Sequence, residues 1–179
     1  IHGKGVRVIW LKGETDMLGA LEEVESFGEF AKRNNAVAST DVKSFEHLIC
    51  TEQLSRRLGF KVGEELIRVV RVRSLNGNAR QVDHGYFLES IAKGLTPEIA
   101  AKSIYDYLEH KRGVKVMASR RTVSVELAND EDCSYLDLGK YNCVAVMESQ
   151  SYTSDGILFE VTHARTHPEI FHYRVNSKR

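Results

Sequence analysis

The spacing of apolar positions changes along the chain and predicts which segments are helices and which are strands. Residues 16–34 carry apolar side chains at intervals of three and four with acidic residues between them, which is typical of an amphipathic helix with Asp16 as N-cap. Residues 66–75 are instead rich in β-branched residues. The Asn76-Gly77 pair that follows is a strong hairpin signal, because both residues tolerate a positive φ, and it predicts a return strand at 79–88.

The remaining segments predict an alternation of strands and short helices. Thr51 begins a helix that ends at Gly59, Thr96-Pro97 opens another, and Ser103 continues or restarts it. The further predicted elements are a helical turn at 130–136 and strands at 36–50, 114–127, 141–149, 157–165 and 171–175. Because the strands are mainly joined by hairpins, we expect one α+β domain with a mainly antiparallel sheet of about six strands and flanking helices.

The composition shows no charge excess. The 25 basic and 25 acidic residues balance, and 42% of the residues are hydrophobic. A domain that grips nucleic acid by itself normally carries a basic excess, which displaces counterions from phosphate. We therefore do not expect this chain alone to bind DNA, although a longer protein that contains it could do so.

The cysteines and the hydropathy pattern favour a cytoplasmic protein. Cys50, Cys133 and Cys143 show no metal-ligand spacing and lie beside apolar residues, so reduced and mostly buried thiols are expected. No uninterrupted apolar run has the length of a membrane span, and the start shows no signal-peptide layout. Because the chain opens at Ile1 without a methionine, we expect a fragment or a processed product.

Arg71 and Arg73 are the first candidates for ligand chemistry. They lie two positions apart in a predicted strand, so both side chains point to the same face. Two neighbouring guanidinium groups repel each other unless an anion lies between them, and their planar donors suit phosphate. From this pattern alone, a solvated strand face is the more common explanation.

Two sets of residues, in a fixed order, carry a family resemblance. The first is the run LGFKVGEELIRVVRVR at 58–73, followed by Asn76-Gly77, and the second is GILFE at 156–160 followed by HPEIF at 167–171. Together they resemble the UTRA domain, the ligand-binding half of the HutC-type repressors in the GntR family. GKGV at 3–6 is similar to the end of the wing in that family's winged-helix domain.

The resemblance implies a fold and a division of the chain. The fold is the α+β arrangement shared by UTRA domains and chorismate lyase. Residues 1–9 would be a remnant of the wing and linker, and residues 10–179 would be the effector-binding domain.

The resemblance also implies an effector site. Family members that sense sugar phosphates hold the phosphate with two arginines, with a serine and a tyrosine on a later helix, and with a segment of an early helix, while carboxylates bind the sugar. The matching effector-binding residues in this chain are Arg71, Arg73, Ser103, Tyr105, Asp83, Glu160, Ser26, Phe27 and Gly28.

Three positions depart from the family pattern. Gly28 replaces a hydroxyl residue, Asp83 is one methylene shorter than the usual glutamate, and Thr166 stands where many sugar sensors carry an aromatic residue. Two plainer explanations also stay open. Ser103 could act only as a helix N-cap, and the two carboxylates could form an ordinary ion-pair network with the arginines.

The function that the resemblance implies is sensing rather than catalysis. The chain would belong to a homodimeric transcriptional repressor that binds operator DNA through a winged-helix domain absent from this chain, with a phosphorylated sugar as effector. We expect no cofactor, metal, catalytic residue or membrane contact, since His163, His167 and His172 follow no zinc-binding spacing. The alternative is a chorismate lyase-like enzyme acting on a small anionic substrate, although fold alone does not carry function.

Overall fold

The computed structural model describes residues 18–19 and 24–173, and its main feature is one six-stranded sheet. The strands are β1 (Leu18–Gly19), β2 (Ala38–Ile49), β3 (Glu65–Leu75), β4 (Asn78–Leu88), β5 (Val116–Leu127), β6 (Cys143–Thr153), β7 (Leu158–Thr166) and β8 (His172–Tyr173). The helices are α1 (Phe27–Arg33), α2 (Glu52–Leu58), α3 (Pro97–Ala100), α4 (Ile104–Arg112) and α5 (Asp130–Tyr135), with a 3-10 turn at Pro168–Ile170. The sheet order is β2-β3-β4-β7-β6-β5 with antiparallel neighbours throughout, so the predicted α+β fold is confirmed.

Two hairpins meet at the centre of this sheet. β3 and β4 form one hairpin, and β6 and β7 form the other. They join where β4 pairs with β7, with Gln81 opposite Thr166 and Asp83 opposite Ala164. We call this junction the seam. β2 and β5 then complete the sheet as its two edge strands.

Local signals in the sequence set the ends of most elements as predicted. Asn76 and Gly77 adopt left-handed φ values of 51° and 82°, which closes the β3–β4 hairpin. The Thr51 hydroxyl accepts a hydrogen bond from the Leu54 N–H at the start of α2, and Gly59 ends that helix with a φ of 90°. Ser103 caps α4 in the same way, so the helix restarts there rather than continuing from α3.

The predicted helix over residues 16–34 is wrong in its first part. Leu18 and Gly19 form β1, which pairs in parallel with His172 and Tyr173 of β8. The helix begins only after Ser26, because Ser26 and Glu29 form a capping box that fixes its N-terminus there. The apolar spacings of three and four had extended the predicted helix back to residue 16, but residues 18 and 19 form a strand beside β8. The proposed N-cap Asp16 lies outside the described residues.

Side chains alternate between the two faces of the sheet. We call the face that carries Arg71 and Asp83 the cavity face, and the other the opposite face. α4 covers part of the cavity face, where its Leu108 and the Phe87 side chain of β4 are fully buried. The segment after α5 covers part of the opposite face. The buried cluster there comprises Val70, Val82, Leu136, Leu138, Val144 and Val146.

The cysteines differ in exposure. Cys50 is buried, but Cys133 is exposed and Cys143 is half-buried, so the expectation of mostly buried thiols is wrong for Cys133. Cys133 lies in the short helix α5, whose solvent side it occupies. Among the described helices, none combines the length and the apolar character that crossing a membrane requires. The proposed wing remnant and its boundary at residues 9 and 10 lie outside the described residues.

Candidate functional site

A cavity of about 160 Å³ lies on the cavity face of the sheet. It is lined by residues at the start of α1 and at the start of α4, by Phe171 and Tyr173, and by side chains of β3 to β7. All the effector-binding residues expected from the sequence line it: Ser26, Phe27, Gly28, Arg71, Arg73, Asp83, Ser103, Tyr105 and Glu160. The fold thus brings into one place residues from five separate elements.

Arg71 and Arg73 both reach a single oxygen of Asp83. The hairpin register places Arg71 directly opposite Asp83. Arg71 donates from Nη2 to Oδ2 at 2.6 Å, and Arg73 donates to the same oxygen from Nη2 at 2.8 Å and from Nε at 3.1 Å. Arg71 and Asp83 are 3% and 2% exposed, so this triad lies inside the protein. It contains two cations and one anion.

The triad stays ionised at neutral pH despite its burial. Burial alone would raise the pKa of Asp83, but the two arginines outweigh that effect and hold the pKa at about 2. Burial and, after it, the neighbouring Arg73 lower the pKa of Arg71 to about 10. Arg71 Nε is buried and has no hydrogen-bond partner among the described residues. A buried, unpaired donor on a cation beside a cavity suits an anionic ligand.

A second group of polar side chains lines the same cavity. The Tyr105 hydroxyl donates to Glu160 Oε2 at 2.5 Å and lies 3.0 Å from Ser151 Oγ. Burial raises the pKa of Glu160, although the Tyr105 and Ser151 hydroxyls oppose the rise. Burial and then Glu160 raise the pKa of Tyr105, which keeps its hydroxyl protonated. This second group therefore offers a carboxyl and hydroxyl groups, which suit the hydroxyls of a ligand.

The serines at the opening have a structural role as well. Ser103 Oγ accepts from the Asp106 N–H at 3.2 Å, and Ser26 Oγ accepts from the Glu29 N–H at 3.3 Å. Each is thus an N-cap that also lines the cavity. Ser103 is therefore a helix N-cap, and its contact with an effector stays a prediction. The Phe27 ring lies 5.2 Å from the Arg73 guanidinium carbon and covers that arginine.

Part of the cavity wall was not predicted from the sequence. Further lining side chains come from the strands beyond the seam: Ser119, Arg121, Met147, Ser149, Ser151, Thr162 and Ala164. Each lies on the cavity face because of the register of β5, β6 and β7. The alternation of side chains between the two faces of each strand was visible in the sequence. Which of those two faces lies on the same side of the sheet as the arginines depends on the pairing of β4 with β7 at the seam.

The opposite face carries a wider groove of about 640 Å³. Its polar groups are largely paired: His84 Nε2 lies 2.8 Å from Glu131, and Arg57 donates to the Tyr86 hydroxyl at 2.8 Å. His84 and Asp83 are adjacent on β4, so their side chains point to opposite faces of the sheet. No group of three or more potential metal ligands occurs within the described ranges. The smaller cavity is the better candidate site, because Arg71, whose Nε has no hydrogen-bond partner among the described residues, is one of its lining residues.

Comparison with known proteins places the chain in a family. The UTRA domain family matches residues 33–172. The HTH-type transcriptional regulator TreR of Bacillus subtilis is 27% identical over 173 residues, covering 97% of this chain and 71% of TreR. The uncharacterized HTH-type transcriptional regulator YydK of B. subtilis is 31% identical over 143 residues, covering 77% of this chain and 57% of YydK. The chain thus spans between 57% and 71% of these two regulators.

Solved structures agree with this placement. The effector-binding domain of the B. subtilis trehalose repressor TreR superposes with a TM-score of 0.70 at 27% identity, covering 79% of this chain and 98% of that domain. PhnF from Mycobacterium smegmatis superposes with a TM-score of 0.78 at 17% identity, covering 92% of this chain and 73% of PhnF, which shows the shared fold. TreR and YydK are transcriptional regulators, so the enzyme alternative is not retained. The chain belongs to the UTRA domain family, the effector-binding domains of GntR-family transcriptional regulators.

Proposed function

We propose that this chain is the ligand-sensing domain of a DNA-binding transcriptional repressor of the HutC type, and that its cavity binds a small phosphorylated metabolite, a sugar phosphate. The observation that carries the proposal is the buried triad of Arg71, Arg73 and Asp83 with its unpaired Arg71 Nε. One carboxylate oxygen shared by two guanidinium groups leaves a positive charge beside the cavity. A phosphate group supplies the missing acceptors, and its negative charge offsets that positive charge.

The second polar group of the cavity supports a sugar rather than a bare phosphate. Glu160, Tyr105 and Ser151 form a connected polar group on the same face of the sheet as the arginines. A ligand with an anion at one end and hydroxyls at the other would use both groups. The name of the relative TreR, a trehalose repressor, agrees with a sugar as the ligand class.

The regulatory part of the proposal concerns the longer cytoplasmic protein. There, this domain would form a homodimer and bind operator DNA through a winged-helix domain. β1 pairs with β8, and Tyr173 of β8 lines the cavity. Ligand contact with this wall would reorder the segment that precedes β1, and so change the spacing of the two DNA-binding domains on operator half-sites.

The test is a melting experiment with matched sugars. Melting temperature is measured with trehalose 6-phosphate, glucosamine 6-phosphate and a phosphorylated β-glucoside, each beside its unphosphorylated form. A ligand at 100 times its dissociation constant adds about 2.7 kcal/mol of stability. We expect a shift with a phosphorylated member alone, and its loss in Arg71→Met.

Arg68→Met is the matched control. Arg68 lies on the same strand but on the opposite face, where it pairs with Glu46, so the shift should survive its removal. Equal shifts with the unphosphorylated sugars would contradict a phosphate site. No shift with any member of the panel would remove the sugar-phosphate proposal, and carboxylates and phosphonates would then be tested.

A further inference from the structure

A third arginine lines the cavity from a strand that is distant from the triad. Arg121 lies on β5, whereas Arg71 and Arg73 lie on β3. β4, β7 and β6 stand between these two strands in the sheet. Neighbouring strands are about 4.8 Å apart, so about 19 Å separates the backbones of β3 and β5. Arg121 therefore brings its positive charge to a different part of the cavity from the triad.

Small side chains cover the sheet between Arg121 and the triad. Arg121 lies opposite Ser149 of β6, and Ser149 lies opposite Thr162 of β7. Ala164, on the same face of β7, lies opposite Asp83 of the triad. Ser149, Thr162 and Ala164 all line the cavity. Because none of the three is bulky, a ligand has room to extend over the sheet from the triad toward Arg121.

The charge of Arg121 acts on two tyrosines that also line the cavity. Burial is the main cause that raises the pKa of Tyr105 and that of Tyr173, and in both cases the positive charge of Arg121 opposes the rise. Charge interactions weaken with distance, so Arg121 lies close to both tyrosines. Tyr105 comes from α4 and Tyr173 from β8. Arg121 thus lies where β5, α4 and β8 approach one another.

The guanidinium group of Arg121 suits an acidic group of a ligand. Its planar donors can bind a carboxylate or a phosphate through two parallel hydrogen bonds. Arg121 is half-buried, so water screens its charge less than it screens a surface charge. Its cross-strand neighbours, Ser149 and then Thr162, carry hydroxyls and no charge. An acidic group that approaches Arg121 along this row of side chains therefore meets no carboxylate there.

We infer that Arg121 determines specificity by binding a second acidic group of the effector, a carboxylate or a second phosphate. The substrate class of the cavity is then a sugar phosphate with two separated acidic groups. The triad holds the phosphate, the second polar group meets the sugar hydroxyls, and Arg121 holds the second acid. The inference rests on the proposed function for the phosphate at Arg71 and Arg73.

Isothermal titration calorimetry with three ligands that share one sugar ring tests the inference. Glucose 1-phosphate carries one acidic group, glucuronate 1-phosphate adds a carboxylate, and glucose 1,6-bisphosphate adds a second phosphate. The wild-type chain should bind at least one of the two-acid ligands about 10- to 100-fold more tightly than glucose 1-phosphate, because a hydrogen bond to a charged group contributes on that order. Two-acid ligands that bind no more tightly than glucose 1-phosphate overturn the inference.

Substitution of Arg121 assigns the preference to this residue. Arg121→Met should remove the preference and leave the Kd for glucose 1-phosphate unchanged, whereas Arg121→Lys, which keeps the positive charge, should retain part of the preference. Arg120→Met is the matched control. Arg120 is the neighbouring arginine on β5 but lines the groove on the opposite face, so its removal should leave the preference intact. An equal loss of affinity for all three ligands in Arg121→Met would show a structural role and overturn the inference.

Glucuronate without a phosphate separates the failure of this inference from that of the proposed function. If glucuronate binds as tightly as glucuronate 1-phosphate and both depend on Arg121, the acid contact stands and the phosphate site is wrong. If glucose 1-phosphate binding depends on Arg71 and Arg121→Met changes no affinity, the phosphate site stands and the inference is wrong.

Discussion

Two buried arginine networks lie on opposite faces of the same sheet, and they have opposite balances of charge. On the cavity face, Arg71 and Arg73 share one carboxylate, Asp83, and Arg71 Nε lacks a partner among the described residues. On the opposite face, Arg165 faces two carboxylates. It donates to Asp132 at 2.9 Å and 3.0 Å, to the Leu127 carbonyl at 3.1 Å, and also to Glu126.

The difference separates a structural arginine from one suited to a ligand. Every donor group of Arg165 is occupied by the fold itself, and Asp132 is 0% exposed, so this network joins α5 and β5 to β7 and leaves nothing for a ligand. The Arg71 triad has two cations for one carboxylate, and one of its hydrogen-bond donors, Arg71 Nε, has no partner among the described residues. Arg71 and Arg165 are similarly buried, and the number of carboxylates around each arginine distinguishes the two networks.

The largest effect on stability is expected for Arg165→Met. It removes the cation from two carboxylates and leaves Asp132 buried without its charge partner. Breaking a buried pair in this way lowers the free energy of unfolding by about 3–5 kcal/mol. Urea denaturation measures it, with Arg80→Met as control, because the pair of Arg80 with Glu169 is more exposed. A loss for Arg165→Met no larger than for Arg80→Met would refute a structural role.

An intermediate effect on stability is expected from the ionisation of Asp83. Its pKa falls from 3.8 to about 2 in the folded protein, and each pKa unit is about 1.4 kcal/mol, so ionisation contributes about 2 kcal/mol at neutral pH. Because the folded pKa is depressed, this stability is present above pH 3.8 and is lost as the pH falls toward 2. Unfolding free energies of wild type and Asp83→Asn should converge over that range. A difference that does not change with pH would contradict this account.

The smallest effect on stability is expected for Arg71→Met. Asp83 keeps Arg73 as its partner at 2.8 Å, and the repulsion between the arginines is removed, so the free energy of unfolding should fall by only about 1 kcal/mol. The same urea denaturation measures it. A loss equal to that of Arg165→Met would make the two networks equivalent and would remove the argument for a ligand at Arg71.

Local chemistry explains which parts of the fold were predictable from the sequence. The β3–β4 hairpin and the start of α2 depend on Asn76-Gly77 and Thr51, whose conformational preferences act within a few residues. The early helix was mispredicted because Leu18 and Gly19 pair with residues more than a hundred positions away. Periodicity within a segment does not carry information about such a distant partner.

The candidate site was likewise predictable only where it depended on local sequence patterns. The Arg-x-Arg pair and the family resemblance led to residues that do line one cavity, but the sharing of Asp83 by both arginines was only one of two open alternatives. Ser149 and Thr162 were missed because their face depends on the register at the seam. Whether any of these residues binds an effector stays a prediction.

The pairing of β4 with β7 at the seam also affects the kinetics of folding and unfolding. It pairs Gln81 with Thr166, so the two halves of the cavity come from hairpins that are distant in the chain. Each hairpin can form early from local contacts, whereas the cavity exists only after the two have docked. A ligand that contacts both hairpins would therefore act after the folding barrier. It would slow the unfolding rate and leave the folding rate unchanged, so the bound domain would last longer without forming faster.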